Sequence, residues 1–208
     1  MQLKPLFEFL KHHPQAIVIL RHAHRYTEAK GTFGNEQPLS QQGKREAFYL
    51  GKQLSTIPWK ELHTSPLIRC VQTSEQFLKG FSQSIPIIPT KILGDPGIFI
   101  DDSQIAGSHF LDRPWSEIAQ DIIQEKPLQG IRSIKEGCQL FMNYVLNLSQ
   151  FPILMITHDI IICLLCSYLF NSNDASKFIP NFLEGFCLSL DSSTICFRNQ
   201  IKSLSCVF

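Results

Sequence analysis

Arg21-His22-Ala23-His24-Arg25 places two guanidiniums and two imidazoles within one short stretch, directly after the apolar run Ala16-Ile17-Val18-Ile19-Leu20. A buried strand that ends this way is hard to explain by packing, because charged side chains are rarely buried unless paired or bound to something. Arginine clamps oxyanions bidentately, and a neutral imidazole is a competent nucleophile near neutral pH. The stretch therefore reads as an anion site with a candidate attacking group. Two further strand ends carry similar groups: Ser65-Pro66 leading to Arg69, and Thr157-His158-Asp159. In a parallel sheet all three fall at the carboxyl edge, where ligands of open α/β folds bind. The set suits phosphoryl transfer, with one imidazole attacking phosphorus and the other stabilising equatorial oxygens in an electropositive pocket.

The elements that must hold these groups follow from periodicity and breakers. Ala16 to Leu20 suits a central parallel strand. Ser40 is placed to cap a helix reaching about Ser55, with Ala47, Leu50, Gly51 and Leu54 on its inner face. Glu61 to Thr64 is a short strand, and Pro66 fits the first turn of a helix containing Ile68, Val71 and Phe77. Ile85 to Leu93 reads as a third strand, placed towards an edge by Pro86 and Pro89. From Gly94 to Gly130 the pattern is irregular, with a short helix at Ser116 to Gln124. Ile131 to Ser149 is a longer helix, Pro152 to Thr157 a buried strand, and Ile160 to Phe170 an apolar helix. Phe186 to Leu190 and Thr194 to Phe197 form a hairpin, and Met1 to His13 a short amphipathic helix. The expected fold is α/β: a three-layer α/β/α sandwich around a mostly parallel sheet. One domain spans residues 1–208, with an irregular cap insertion at about 95–131.

Bulk properties narrow the function classes. A net charge of +1 argues against a nucleic-acid partner or an acidic membrane held by bulk electrostatics. No apolar stretch reaches the length of a membrane span. Seven cysteines form an odd set without disulfide-scaffold spacing, which fits reduced thiols. Cys163 and Cys166 have CxxC spacing but sit within an apolar helical run, so burial is expected there rather than redox or zinc chemistry. A cytoplasmic protein is expected, with no cofactor or resident metal implied; oligomeric state leaves no mark on the sequence.

Four blocks resemble the histidine phosphatase (phosphoglycerate mutase-like) superfamily. Arg21-His22-Ala23-His24-Arg25 resembles its Arg-His-Gly signature, with Ala23 in place of the glycine. Leu39 to Ala47 is similar to its Leu-Thr-x-x-Gly-x-x-Gln-Ala helix start. Ser65 to Thr73 is close to its Ser-Pro-Leu-x-Arg-x-x-x-Thr block, and Thr157-His158-Asp159 matches the block of the second histidine. The resemblance implies that His22 becomes a phosphohistidine, that Arg21, Arg69 and His158 bind the transferred group, and that Arg25 lines the same pocket. It also implies a proton donor for the leaving alkoxide: Asp95, near where the mutase-like branch carries a glutamate, or Asp159, following the His-Asp pair of the acid-phosphatase branch. Adjacency to His158 favours Asp159. In the cap, His109 and Arg113 are candidate substrate contacts, while His24 is assigned to the pocket rim.

The leading expectation is a phosphomonoester hydrolase acting on a phosphorylated small molecule or a phosphoprotein. A phosphoglycerate mutase-like phosphotransferase is the near alternative. A metal-dependent hydrolase built on His22, His24 and His158 is a different class, opposed by the arginines around those rings. A phosphate-binding module without turnover is the third.

Overall fold

The computed structural model describes residues 3–26 and 34–204. After α1 (Leu3–His12) come β1 (Ile17–Arg21), α2 (Gln41–Gln53), β2 (Glu61–Thr64), α3 (Ile68–Phe81) and β3 (Ile87–Pro89). Then follow α4 (Ser103–Asp112), α5 (Trp115–Ile123), α6 (Ile134–Leu146), β4 (Ile153–Thr157) and α7 (Asp159–Leu169). The chain closes with β5 (Gly185–Ser189), β6 (Thr194–Phe197) and β7 (Gln200–Ser203).

The strands form one sheet in the order β3-β2-β4-β1-β5-β6-β7. β3, β2, β4 and β1 run parallel, whereas β5, β6 and β7 continue the sheet antiparallel from β1. The sheet is therefore mixed: short turns between β5, β6 and β7 oblige antiparallel pairing, whereas the parallel strands need helical crossovers. The register that matters for the site lies in the parallel half. Arg21 sits beside Thr157, and Thr64 beside Ile156, so the polar ends of β1, β4 and β2 arrive at one edge.

Alternation along the central strands builds the outer layers. Ile17, Ile19, Ile153 and Met155 point to a core shared with α5, α6 and α7. Val18, Leu20, Leu154 and Ile156 point to the opposite core with α1, α2 and α3. This strict two-sidedness is why both strands read as unbroken apolar runs. The apolar α7 lies under one layer with Cys163 and Cys166 fully buried, and burial pushes the Cys163 thiol up to about 12.

Several boundaries differ from the sequence expectation. Strand β3 covers only Ile87–Pro89, at the edge as expected, and Lys91–Leu93 is a 3₁₀ turn. Helix α6 starts at Ile134, where Ser133 and Glu136 form a reciprocal capping box. Helix α4 and strand β7 were not anticipated. Asp102 caps α4 by accepting from the backbone N–H groups of Gln104 and Ile105, a signal present in the sequence. The excursion that carries α4 and α5 is closed at its base. Ile100 and Ile131 form an isolated bridge, and the Arg132 N–H donates to the Phe99 carbonyl at 2.9 Å. Cys206 lies outside the described residues.

Candidate active site

At the end of β1 the backbone is fixed before any side chain acts. The His22 N–H donates to the Thr157 carbonyl at 2.9 Å, and the Ala23 N–H donates to Thr73 Oγ1 at 3.0 Å. Thr73 in turn donates to the Arg69 carbonyl at 2.7 Å, one turn earlier in α3. The threonine of the Ser65-to-Thr73 block thus ties the loop after β1 to the helix that carries Arg69. Ala23 is buried and lies outside the left-handed region, so its methyl is accommodated.

The His22 ring is buried, and its Nδ1 lies 2.8 Å from the Ala23 carbonyl oxygen. A carbonyl only accepts, so Nδ1 carries the hydrogen and Nε2 keeps a free lone pair. His158 is oriented by the same logic. Its Nδ1 is 3.2 Å from Arg69 Nη2, which only donates, so its hydrogen sits on Nε2 and is given to Ser65 Oγ at 2.9 Å. The two rings stand edge to face with centroids 5.6 Å apart. Burial first, then His158, Arg69 and Arg21, hold His22 well below the usual histidine range. Burial and the arginines Arg69, Arg25 and Arg21 do the same to His158. Both imidazoles are therefore neutral at physiological pH.

Arg21 is held from three sides. Its Nη2 pairs with Asp159 Oδ2 at 2.6 Å, its Nη1 donates to the Pro180 carbonyl at 2.9 Å, and its guanidinium lies 4.2 Å from the Phe182 ring centroid. Its Nε is buried with no hydrogen-bond partner among the described residues, a donor that a bound oxyanion would satisfy. Arg69 is buried, and its Nη1 donates to the Gly34 carbonyl at 3.0 Å.

A cavity of about 440 Å³ opens over this edge, with Arg21, His22, Arg25, Arg69, His158 and Asp159 at its floor and Asp95 at its side. Gly94 has φ 143°, and a Cβ there would meet the His158 ring at 2.6 Å. Only glycine allows the strand-end loop to press against that imidazole, and this closeness is what delivers Asp95 to the cavity. Asp95 makes no hydrogen bond or ion pair with the described residues, and its φ of 58° is one that aspartate tolerates.

Seven of the expected site residues, Arg21, His22, Arg25, Arg69, Asp95, His158 and Asp159, are thus brought together at this edge; two are not. His109 Nε2 faces the Gln129 carbonyl at 3.2 Å, and Arg113 pairs with Asp121 at 2.6 Å and with Glu117. Neither lines the cavity, because α4 turns Ser103, Ala106, Gly107 and Phe110 towards it, an i, i+3, i+4, i+7 stripe that excludes His109. His24 does not converge with the other two histidines. Its Nδ1 is 2.7 Å from Ser40 Oγ, and its ring packs on Phe182. Among the described residues no three histidine, cysteine, aspartate or glutamate side chains are grouped to hold a metal ion, so the set His22, His24 and His158 is not assembled. Phe182, in contact with Arg21, His22 and His24, escaped sequence reasoning; nothing local distinguishes it from a core phenylalanine. Ser65, Ser40 and Thr73 stood within the motif blocks, which was the available signal.

The profile of the histidine phosphatase superfamily (branch 1) matches residues 17–182. No curated protein matches the chain. Among solved structures, Bacillus stearothermophilus YhfR is similar at 18% identity, covering 89% of this chain and 96% of that one, with a TM-score of 0.61. A phosphoglycerate mutase from Bacillus anthracis str. Sterne is similar at 16% identity, covering 92% and 94%, with a TM-score of 0.58. A phosphoserine phosphatase from Entamoeba histolytica, in complex with phosphoserine, is similar at 14% identity, covering 91% and 97%, with a TM-score of 0.57. At these identities the likeness shows the shared fold.

Proposed function

From the premise that this chain belongs to the histidine phosphatase superfamily, we propose that it is a phosphomonoester hydrolase working through a phosphohistidine on His22. The observation that carries the reading is the His22 ring itself: neutral, with its hydrogen committed to Ala23, and lining a cavity beside Arg69 and His158. In the first step Nε2 attacks phosphorus and the P–O bond to the leaving alcohol breaks. The alkoxide takes a proton from an aspartic acid. Water then attacks the phosphohistidine, the aspartate recovers a proton from that water, and the P–N bond breaks to release phosphate and neutral His22. Arg21, Arg25 and Arg69 face the charge on the equatorial oxygens, beside His158, whose Nε2–H is held by Ser65 Oγ.

We assign the proton to Asp95. Asp159 Oδ2 already accepts Arg21 Nη2 and its Oδ1 accepts the Ile160 N–H at 3.0 Å, so both of its oxygens are engaged. Asp159 is then the residue that orients Arg21, whereas Asp95 is free to give and regain a proton. Residues 95–131 form the cap over the leaving group. The substrate is a phosphorylated small molecule or a phosphoprotein.

His22→Ala is expected to lower turnover of p-nitrophenyl phosphate at least about 10³-fold while the far-UV circular dichroism is unchanged. Brief mixing of the wild-type protein with radiolabelled substrate is expected to leave an acid-labile, base-stable label. Wild-type turnover in the variant would remove His22 as nucleophile. Release of inorganic phosphate, rather than transfer to an added alcohol, separates the hydrolase from a phosphotransferase using the same His22.

A further inference from the structure

The cavity has two chemically opposed halves. Among the described residues its cations, Arg21, Arg25 and Arg69, lie at the strand-edge floor, where the phosphoryl group sits under the reading above, on which this inference rests. The facing wall, from the 95–131 excursion, is built by Phe99, Ile100, Phe110, Trp115 and Ile122. Among the described residues this wall presents no cation to the cavity. The cationic and imidazole side chains of the same excursion face elsewhere: His109 meets Gln129, and Arg113 and Lys126 both meet Asp121; Arg132, just after it, binds Asp101 at 2.7 Å and the Ile100 carbonyl. The one charged side chain that the excursion contributes to the cavity, among the described residues, is a carboxylate, Asp95.

We infer that the substrate is a phosphomonoester whose leaving group is uncharged and largely apolar, an alkyl or aryl alcohol, and that Phe110 and Trp115 set this preference. A second anionic group, such as the carboxylate of a phosphoglycerate, would lose its water against this wall without gaining a cation, and would face the Asp95 carboxyl as well. An alkyl or aryl group gains by covering apolar surface that otherwise stays wet. The volume of about 440 Å³ lies in the range of small-molecule sites and leaves room for such a group beside the phosphate. The outward turn of His109, in α4, and of Arg113, at its C-cap, is what makes the wall apolar.

The test is kcat/KM of the full chain along n-alkyl phosphates from ethyl to hexyl, beside 3-phosphoglycerate. These alkoxides differ little in basicity, so the slope reports burial of the chain. The expected slope is about threefold per methylene. Hexyl phosphate is expected to exceed 3-phosphoglycerate on the order of 100-fold. Phe110→Ala is expected to lower the hexyl-to-ethyl ratio, and Phe110→Lys to raise the 3-phosphoglycerate-to-hexyl ratio at least about tenfold by supplying the missing cation. A flat chain-length series, or 3-phosphoglycerate outrunning hexyl phosphate, while His22 still becomes labelled, would overturn the apolar class and leave the phosphatase standing. Failure of every phosphomonoester to label His22 would overturn both.

Discussion

Hydrogen placement on two rings and two carboxylates determines what the floor of the cavity can do. The Ala23 carbonyl fixes the hydrogen of His22 at Nδ1, and Arg69 fixes that of His158 at Nε2, so one ring keeps an open lone pair and the other an N–H committed to Ser65 Oγ. A nucleophile and a ring locked between Arg69 and Ser65 thus arise from the same residue type through opposite tautomers. The carboxylates are divided in a similar way, Asp159 engaged and Asp95 open. Asp95→Asn is expected to slow a poor leaving group such as an alkyl phosphate by about 10²–10⁴-fold, with a much smaller effect on p-nitrophenyl phosphate. Asp159→Asn, acting through Arg21, is expected to slow both substrates by similar factors. If Asp159→Asn instead shows the leaving-group dependence and Asp95→Asn does not, the two roles are exchanged.

Helix α2 shows how an element without a cavity residue can still shape the site. Its cap, Ser40, accepts the Gly43 N–H at 3.0 Å, receives the His24 ring at 2.7 Å, and gives its own N–H to the His24 carbonyl at 3.1 Å. The helix approaches so closely that a Cβ on Gly43 would lie 2.0 Å from the His24 carbonyl oxygen. This contact is backbone, with no flexible side chain to yield, so the Leu39-to-Ala47 block needs its glycine for proximity. Gly43→Ala is expected to destabilise the protein by about 1–3 kcal/mol, read as a lower urea midpoint. Because the displaced strand end is the one bearing His22, kcat is expected to fall as well. A variant with wild-type midpoint and kcat would show that the helix can move away without consequence. Helix α4 makes the complementary point: its inward stripe decides that Phe110 faces the cavity and His109 does not.

For the molecule as a whole, two buried neutral imidazoles couple folding to pH. The folded pKa values of His22 and His158 lie well below the value of about 6.5 expected in the unfolded chain. Above that value both states are neutral and the rings contribute no pH dependence. Below it the unfolded chain binds protons that the folded protein does not, so stability falls as pH drops from about 6.5 towards the depressed folded values. The loss is at most about 1.4 kcal/mol per pH unit for each ring. Urea midpoints are expected to decline between pH 7 and pH 5, with a shallower decline in His22→Asn. Equal declines in the two proteins would mean that His22 is not buried as a neutral ring. No helix among the described residues is long and apolar enough to cross a membrane.

The sequence by itself determined the parallel half of the fold and the identity of the floor. Unbroken apolar runs specify strands buried on both faces, and polar groups at their ends are then forced to one edge, so Arg21, His22, Arg69 and His158 were legible as a set. Glu61–Thr64 was legible to the residue for the same reason, while β3 and α6 shrank because prolines and caps act more locally than periodicity shows. Only the tertiary structure decided what depends on direction and long-range proximity. It turned Arg113 out to Asp121 and brought Phe182, far along the chain, against Arg21. It engaged Asp159 with Arg21 while leaving Asp95 open. Residue types state which chemistry is available; which atom faces the substrate is set by neighbours that the linear order does not place side by side.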